Sequence, residues 1–458
     1  MPGPSPSATP TTPAGGRYWV HTLGCPKNQV DSDKLVGTLV ADGLVEADGP
    51  GDADLVVVNT CAFIGDARQE SIDTILALDD ARKDGAELVV TGCMAERYGS
   101  ELADAMPEVD AVAGFGVPVT LGRRGGGAVP PVPSFDLLNL PRPASVVPWA
   151  YVKVAEGCDR ACGFCAIPSF RGPQRSRTHE SILAEVDGLA AGGAGGLPVH
   201  EVVLVAQDLA AFGRDQGSGE RSIVRLVGEV ADRVARVRLL YLYPSDLTDG
   251  LVDAMCESGL PYFDLSLQHV SRPLLRLMRR WGDGERFLER IETIRAREPE
   301  AAFRSNFIVG YPGETEADHD ALLRFVADAQ LDWCGFFPYS EEEGTHAAGL
   351  DGVVPQALAA DRHAELGELQ DAITARRRDA LVGRDVEVLV DAPGQGRSHR
   401  EAPEIDGVVQ VPQHLAPGTF HAVTITAALG PDLEGAVTDV AGTGVAADVD
   451  LLATARRG

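Results

Sequence analysis

Lysine is scarce in this 458-residue sequence, and long apolar runs are missing. Only Lys27, Lys34, Lys83 and Lys153 are lysines among the 40 basic residues. No apolar run approaches the ~20 residues that a membrane-spanning helix needs. The first sixteen residues, MPGPSPSATPTTPAGG, contain no basic residue and no apolar core, which argues against a secretory signal peptide and predicts a disordered tail over residues 1–16. We therefore expect a cytoplasmic protein with no membrane partner.

Cysteine is also rare, and basic residues are outnumbered by acidic ones. Eight cysteines in so long a chain do not form a disulfide scaffold, and clustered thiols in a reducing cytosol indicate metal binding or catalysis. The formal net charge of −28 disfavours phosphate backbones and favours basic partners. Six of the eight cysteines fall into two groups of three.

The first group, Cys25, Cys61 and Cys93, is spread over the N-terminal part of the chain. Each of these cysteines follows an apolar run that reads as a strand, and helical patterns lie between the runs. This alternation predicts a Rossmann-like domain over residues 17–125, in which the carboxyl ends of parallel strands meet at one edge. We expect the three thiols to share a metal site there, although three separately buried structural cysteines would also fit. The predicted elements are strands Tyr18–Leu23, Leu55–Val58 and Glu87–Val90, and helices Val30–Asp42 and Gln69–Lys83.

Two further domains are predicted after a linker over residues 126–147. Residues 148–380 repeat the strand–helix alternation six times, which indicates a partial (β/α)6 relative of the TIM barrel. Residues 381–455 are short alternating runs between Gly and Pro turns, and they predict a small antiparallel β-barrel. The strands predicted for the larger domain are Tyr151–Ala155, Glu201–Ala206, Arg236–Tyr243, Tyr262–Leu267, Phe303–Val309 and Asp332–Pro338.

The second group of cysteines, Cys158, Cys162 and Cys165, lies in "EGCDRACGFCAIPSFRG" directly after the first strand of the barrel. A structural zinc site would need a fourth ligand, such as His269. A cubane 4Fe–4S cluster has four irons, so three thiolates leave one iron with an exchangeable position. The spacing therefore favours a reactive centre over a structural one.

The CxxxCxxC spacing, with Phe164 before the last cysteine and Ile167-Pro168 after it, resembles the radical S-adenosylmethionine (SAM) superfamily. The resemblance implies that Cys158, Cys162 and Cys165 are the catalytic cluster ligands and that SAM binds the open iron. Cleavage of SAM then gives a 5′-deoxyadenosyl radical, which abstracts hydrogen from an unactivated C–H bond. The resemblance also implies cofactor-binding positions at Phe164, Ile167, Gln207, Asp208, Asn306 and Gly310.

The domain order, from a cysteine-bearing Rossmann-like domain to a radical SAM barrel and a small TRAM-like barrel, resembles the methylthiotransferase family. It implies a second 4Fe–4S cluster on Cys25, Cys61 and Cys93. Two SAM molecules would be used, one to methylate a sulfur carried on that cluster and one to make the radical, and the substrate radical would then take the methylthio group. An electron donor such as a flavodoxin or ferredoxin is implied as well. An iron–sulfur carrier is the alternative that is not an enzyme.

Three short segments of the sequence resemble the RimO branch of that family. The segments are "LGCPKNQVDSD" from Leu23, "IPSFRG" from Ile167 and "APEIDG" from Ala402. The RimO branch modifies the β-carbon of an aspartate in ribosomal protein twelve of the small subunit. The alternative is the MiaB branch, which modifies isopentenyladenosine in tRNA.

Charge gives a separate indication of the partner. Residues 381–458 contain five basic and eleven acidic residues, which makes this part of the chain a poor binder of nucleic acid, although TRAM-like barrels bind RNA elsewhere. An acidic domain suits a basic ribosomal protein, free or on the ribosome. Arg171, Arg175 and Arg177 form a basic patch past the cysteine loop, which would either bind a substrate carboxylate or hold a surface loop by ion pairs.

Overall fold

The structure is a computed structural model that describes residues 15–115, 117–121, 137–193, 195–217, 219, 221–257 and 260–437. Most of the predicted tail over residues 1–16 lies outside the described residues. So do residues 126–136 of the predicted linker and residues 438–455 of the predicted last domain. The predicted domain boundaries therefore stay predictions.

The N-terminal domain is a parallel sheet with helices on both faces, as the sequence pattern predicts. Within the described residues its strands run in the order β2-β1-β3-β4-β5. Leu35 and Leu39 of α1 pack on one face, and Ile75 of α2 packs with Leu102 of α3 on the other. The strands are β1 Arg17–Thr22, β2 Val45–Glu46, β3 Leu55–Thr60, β4 Glu87–Gly92 and β5 Ala111–Ala113, and the helices are α1 Pro26–Ala41, α2 Gly65–Ala81 and α3 Cys93–Ala105.

The first helix begins at Pro26, four residues before the predicted start at Val30. Proline is compatible with the first turn of a helix because its missing N–H would have no partner there. The apolar stripe starts later than the helix does, so periodicity alone places the start too late. The earlier start puts Cys25 directly at the helix N-terminus.

The second domain is an open barrel of parallel strands. Six of its described strands form two sheets, in the orders β10-β9-β6 and β11-β12-β13, and a bridge between Leu242 and Leu265 joins them. The hairpin of β7 and β8 encloses the cysteine loop. The strands are β6 Trp149–Lys153, β7 Ala155–Glu156, β8 Arg175–Ser176, β9 Glu201–Val205, β10 Arg236–Leu239, β11 Tyr262–Gln268, β12 Ala302–Val309 and β13 Trp333–Pro338. The helices are α4 Ile167–Arg171, α5 His179–Ala190, α6 Ile223–Ala231, α7 Asp249–Glu257, α8 Arg272–Leu277, α9 Gly284–Arg297, α10 Glu316–Ala329 and α11 Gln356–Asp379.

Strand β10 ends at Leu239, whereas the sequence predicts a strand up to Tyr243. Tyr241 has a φ of 65°, which a β-strand cannot accommodate. The apolar residues that follow Leu239 belong to the barrel mouth instead of to a longer strand.

The inside of the barrel is filled from both ends by the neighbouring domains. Inward-facing residues such as Tyr151, Val203 and Tyr262 form one cluster with Val30 of α1 and with Ala402. The N-terminal domain lies at the carboxyl ends of the strands, where Asp31 pairs with Lys153, the last residue of β6.

The C-terminal domain covers the opposite end of the barrel. Trp333, the first residue of β13, donates to the carbonyl of Arg400 at 2.7 Å, and Tyr151 donates to the carbonyl of Pro403 at 2.8 Å. Arg397 pairs at 3.1 Å with Glu201, the first residue of β9. Residues 397–406 therefore close the amino-terminal end of the barrel.

The C-terminal domain is a closed barrel in the described residues, with the strand order β14-β15-β16-β18-β17. The predicted antiparallel pairing holds except between β16 and β18, which pair in parallel. The short strand β15 was not predicted, because three residues are too few to show a period. The strands are β14 Asp385–Ala392, β15 Gln395–Arg397, β16 Val409–Gln410, β17 Phe420–Leu429 and β18 Asp432–Val437.

The predicted fold class is confirmed. It is α/β, with a Rossmann-like domain, a partial six-unit barrel and a small C-terminal β-barrel. Among the described residues, no helix is both long enough and apolar enough to cross a membrane.

Candidate functional site

The first three cysteines lie at the carboxyl edge of the N-terminal sheet. Cys25 follows β1 and caps α1, Cys61 follows β3, and Cys93 is the first residue of α3 directly after β4. In parallel sheets of the strand order 2-1-3-4-5, ligands bind where β1 and β3 diverge. Cys25 and Cys61 occupy that position.

The three thiols lie near one another. A Cβ atom added to Gly24, the residue before Cys25, would lie 3.0 Å from the Sγ of Cys61. Burial, with smaller contributions from the thiols of Cys93 and Cys25, raises the pKa of Cys61 to about 12. Burial would also raise the pKa of Cys25, but Lys27, Arg171 and backbone N–H groups at the start of α1 lower it. Such donors stabilise a thiolate, which is the form that binds metals.

Asn28 joins the three loops that carry these cysteines. Its side chain is fully buried, and its Nδ2 donates to the carbonyls of Leu23 at 2.9 Å and Thr60 at 3.1 Å. Its Oδ1 lies 3.5 Å from the Sγ of Cys93. One amide thus holds the ends of β1 and β3 next to the start of α3.

Arg171 connects this edge to the barrel. Its Nη2 donates to the Sγ of Cys93 and to the Oδ1 of Asn28, both at 2.9 Å, while its Nη1 donates to Glu156 at 2.8 Å. Asp31 and Lys153 complete a buried network of charges around it. Arg171 is 7% exposed, so it is neither a surface residue nor free to bind a substrate carboxylate.

The second group of cysteines lies on one loop at the mouth of the barrel. Cys158 N donates to the carbonyl of Gly172 at 3.0 Å, which closes the loop beyond the hairpin of β7 and β8. Gly163 N donates to Met278 O, and Ala347 N donates to Gly163 O, both at 2.8 Å. The backbone of later barrel segments therefore holds the loop in place.

Gly163 is required by close packing. A Cβ atom at this position would lie 2.9 Å from both the carbonyl oxygen of Leu277 and the hydroxyl of Tyr311. Cβ atoms essentially never come closer than 3.0 Å to other heavy atoms. The glycine in the "CGFC" segment therefore lets the loop lie against the turn after α8.

Cations and a tyrosine border the barrel loop. Arg280 Nη1 donates to the Sγ of Cys162 at 3.3 Å, and the guanidinium groups of Arg160 and Arg280 lie 3.9 and 4.2 Å from the ring centre of Tyr243. Burial raises the pKa of Cys158 to about 11 and that of Cys165 to about 12. The Cys162 thiol contributes to both pKa shifts, which indicates that it lies near Cys158 and Cys165.

Several of the predicted SAM-binding residues carry buried acceptor atoms with no hydrogen-bond partner in the described structure. They are Gln207 Oε1, Asp208 Oδ1 and Asn306 Oδ1. The other polar atoms of two of these residues are engaged, since Gln207 donates to Glu156 at 2.7 Å and Asp208 accepts from Arg160 at 2.6 Å. Unpaired buried acceptors fit a ligand that brings its own donors, such as an amino group.

The remaining predicted cofactor residues lie on the same side of the barrel. Phe164 packs on the main core of the barrel, and Ile167 starts α4. Gly310 follows β12 with a φ of 78°, and Glu314 accepts its N–H. The assignment of these residues to SAM stays a prediction.

Each group offers three thiols, and thiolates are the usual ligands of iron–sulfur clusters. Among the described residues, no three His, Cys, Asp or Glu side chains are grouped so that they could hold one metal ion. Thiolates that bind a cubane need not converge on a point, because each binds a different iron. His269, considered above as a fourth zinc ligand, is fully buried and accepts from Ser271 N at 3.0 Å.

The residues that sequence reasoning missed are those that join the domains. Asn28 is three residues from Cys25 in the segment "GCPKN", and Lys153 is a buried lysine in an apolar strand. A lysine in a buried strand was a signal, because it needs a carboxylate partner. The identity of the partner, Asp31 from another domain, was not visible in the sequence.

Family models match three successive parts of the chain. Residues 17–114 match the uncharacterized protein family UPF0004, residues 152–326 match the radical SAM superfamily, and residues 382–438 match the TRAM domain. The three matches fall on the three domains described above.

Similar proteins cover almost the whole chain. The ribosomal protein uS12 methylthiotransferase RimO of Salinispora tropica is 41% identical over 93% of this chain and 96% of its own length. The protein of the same name from Moorella thermoacetica is 43% identical over 90% of this chain and 96% of its own.

Among solved structures, the radical SAM methyltransferase TsrM from Kitasatospora setae is 14% identical, with a TM-score of 0.47 over 83% of this chain and 80% of its own. That similarity is too low to support an inference about function.

Proposed function

Since this chain belongs to the ribosomal protein uS12 methylthiotransferase (RimO) family of radical SAM enzymes, we propose that it transfers a methylthio group to the β-carbon of an aspartate in uS12. The proposal includes two 4Fe–4S clusters, one held by Cys25, Cys61 and Cys93 and one by Cys158, Cys162 and Cys165. It also includes two SAM molecules for each transfer.

The observation that carries the proposal is that Arg171, six residues after Cys165, reaches from the barrel to the N-terminal group of thiols. Arg171 ends the short helix that follows Cys165, and its guanidinium donates to the Sγ of Cys93. The barrel segment that carries Cys158, Cys162 and Cys165 is therefore joined directly to the N-terminal thiols at the barrel mouth. A carrier of clusters would not need its two centres tied together across a domain boundary.

When bound, the cofactors supply a carbon radical and a transferable methylthio group. The protein positions and protects them. Six thiolates, three for each cluster, would hold the clusters. Arg280 and Arg171 donate to the Sγ of Cys162 and Cys93, and such hydrogen bonds tune the reduction potential of a cluster. Gln207, Asp208 and Asn306 offer acceptors for the amino group of SAM.

The charge of the C-terminal domain favours a basic protein substrate over tRNA. Its three described arginines, Arg384, Arg397 and Arg400, all pair with carboxylates of the barrel, two with Glu300 and one with Glu201. Exposed acids such as Asp385 and Glu434 remain on the surface. Nucleic-acid binding relies on exposed Lys and Arg, whereas a basic ribosomal protein would be attracted to this surface.

The partners in this proposal are uS12, free or on the ribosome, and an electron donor. Cleavage of SAM consumes an electron, which a flavodoxin or ferredoxin would supply. The proposal places the reaction in the cytoplasm, where ribosomes and reduced thiols are found.

Mass spectrometry of uS12 from cells that lack this chain tests the proposal. We expect uS12 to lose a modification of about 46 Da, the mass of CH₃S in place of H, and to regain it when the wild-type gene returns. If uS12 is unchanged and a methylthio group is missing from tRNA instead, the MiaB alternative is correct.

A further inference from the structure

The four lysines of the chain differ in their partners. Lys34 pairs with Glu185 at 2.7 Å, Lys83 pairs with Asp54 at 2.6 Å, and Lys153 pairs with Asp31 and Glu156. Lys27 differs from them, because no carboxylate of the described chain lies within 4 Å of its Nζ. The Nζ of Lys27 lies over the ring of Tyr241, 3.6 Å from the ring centre.

Lys27 is buried where the two domains meet. It is 9% exposed and lies two residues after Cys25, at the start of α1. Tyr241 belongs to the barrel, two residues beyond the end of β10. The ammonium group thus lies at the carboxyl edge of both sheets, beside one candidate centre and at the mouth that holds the other.

Tyr241 is a fixed platform for this cation. Its φ of 65° is unusual for a residue other than glycine and is energetically costly. Its backbone N–H donates to Asp264 Oδ2 at 2.9 Å, which holds this conformation. The strained backbone holds the ring beneath Lys27.

Lys27 faces the ring of Tyr241 and the thiol of Cys25, but no carboxylate of the described chain, so the buried ammonium is incompletely compensated. Burial of a charge is costly unless the charge is paired, and a cation–π contact offsets only part of that cost. Three other cations near the mouth already have partners. Arg171 is bound by Glu156 and Arg177 by Glu185, while Arg280 donates to Cys162 and to the carbonyl of Ser266. Lys27 is therefore suited to an anionic group that arrives with a ligand.

We propose that Lys27 binds the side-chain carboxylate of the substrate aspartate. This inference rests on the proposed function, in which the β-carbon of that aspartate receives the methylthio group. The β-carbon is bonded directly to the carboxyl carbon. A carboxylate held by Lys27 would therefore fix the reacting carbon at the boundary between the two domains, and it would distinguish aspartate from asparagine.

Binding of uS12 to the reconstituted full-length protein tests the inference. The titrants are uS12 and its variant with asparagine at the modified position, measured anaerobically by calorimetry. We expect wild type to prefer the aspartate form by about ten- to hundredfold, as a charge-assisted hydrogen bond would give. Lys27→Met and Lys27→Gln should bind both forms equally, at the level that wild type shows for asparagine. Lys83→Met, which removes a lysine paired on the surface, should keep the full preference.

The outcomes separate the inference from the proposed function. If either neutral variant keeps the preference for aspartate, Lys27 does not bind the carboxylate, although the family activity stands. If both variants instead lose iron from the N-terminal centre, Lys27 is a counter-charge of the cofactor and the inference is wrong. If wild type neither binds nor modifies uS12, the proposed function itself fails.

Discussion

The two groups of cysteines reach similar arrangements by different routes. Cys158, Cys162 and Cys165 lie within one loop, which the hairpin of β7 and β8 and the backbone hydrogen bonds of Gly163 with Met278 and Ala347 hold in place. Cys25, Cys61 and Cys93 come from three separate strand ends, which Asn28 and Arg171 tie together. The first centre thus lies on one loop that its own domain holds, and the second is assembled from three strand ends with a contact from another domain. Substitutions should affect the two centres differently.

The largest effect is expected in the barrel loop. Cys162→Ala should reduce 5′-deoxyadenosine formation from SAM and a chemical reductant below detection, because the radical centre loses one of its three thiolates. Chromatography of the nucleoside product measures this. The iron content of the N-terminal domain should not change, because none of the contacts described for Cys25, Cys61 and Cys93 includes Cys162. Loss of all iron would show that the two centres are not independent.

Cys61→Ala should remove the N-terminal cluster and leave the radical centre intact. Wild type should contain about eight irons per chain, as two cubane clusters require, and the variant about four. It should still release 5′-deoxyadenosine but should no longer transfer the methylthio group. Anaerobic iron and sulfide analysis measures the content, and a wild-type value near four would contradict the two-cluster proposal.

Arg171→Gln tests whether the N-terminal centre depends on the barrel. The substitution leaves Asp31 and Glu156 buried with only Lys153 to compensate them, so we expect a loss of about 3–5 kcal/mol in the free energy of unfolding. Urea unfolding measures it. The matched control is Arg225→Gln, which breaks an exposed pair with Glu229 and should cost less than about 1 kcal/mol. If both variants lose the same free energy of unfolding, Arg171 does not connect the domains.

Gly163→Ala tests how closely the barrel loop must pack against the rest of its own domain. The added methyl group meets Leu277 O and the Tyr311 hydroxyl at 2.9 Å, so the loop or its neighbours must shift, at a cost of about 1–3 kcal/mol in the free energy of unfolding. Gly188→Ala in α5 meets no atom within 4 Å and should stabilise the protein by about 0.5–1 kcal/mol. If both variants behave alike, the close approach at Gly163 is not a constraint.

The smallest effect concerns pH and a contact far from both centres. Burial alone would raise the pKa of Glu201, but Arg238 and Arg397 lower it to about 2. Because the folded pKa lies below the ordinary value, the stabilisation is complete above about pH 4.5 and is lost as the pH falls toward 2. Between pH 7 and pH 4 the loss should be below about 1 kcal/mol. Glu201→Gln should flatten this part of the pH dependence of urea unfolding, and an unchanged profile would contradict the assignment.

The sequence predicted what depends on local periodicity and missed what depends on contacts between domains. The strand–helix alternation gave the N-terminal sheet, and the positions of Cys25, Cys61 and Cys93 after strands predicted their proximity. The early end of β10 was not predictable, because the conformation of Tyr241 depends on Asp264 from another strand and its ring lies beneath Lys27 from another domain. The role of Arg171 was missed for the same reason, since its partners lie up to 143 residues away.

The closure of the barrel by residues 397–406 has a consequence for how the protein is made. The chain leaves the ribosome with its N-terminus first. All six parallel barrel strands therefore emerge before residues 397–406, which cover the amino-terminal end of the barrel. Until Trp333 and Tyr151 meet Arg400 and Pro403, the inner side chains at that end stay open to water. The domain that would house the radical is thus completed only near the end of synthesis, and a fragment that stops after α11 should be difficult to isolate in a folded form.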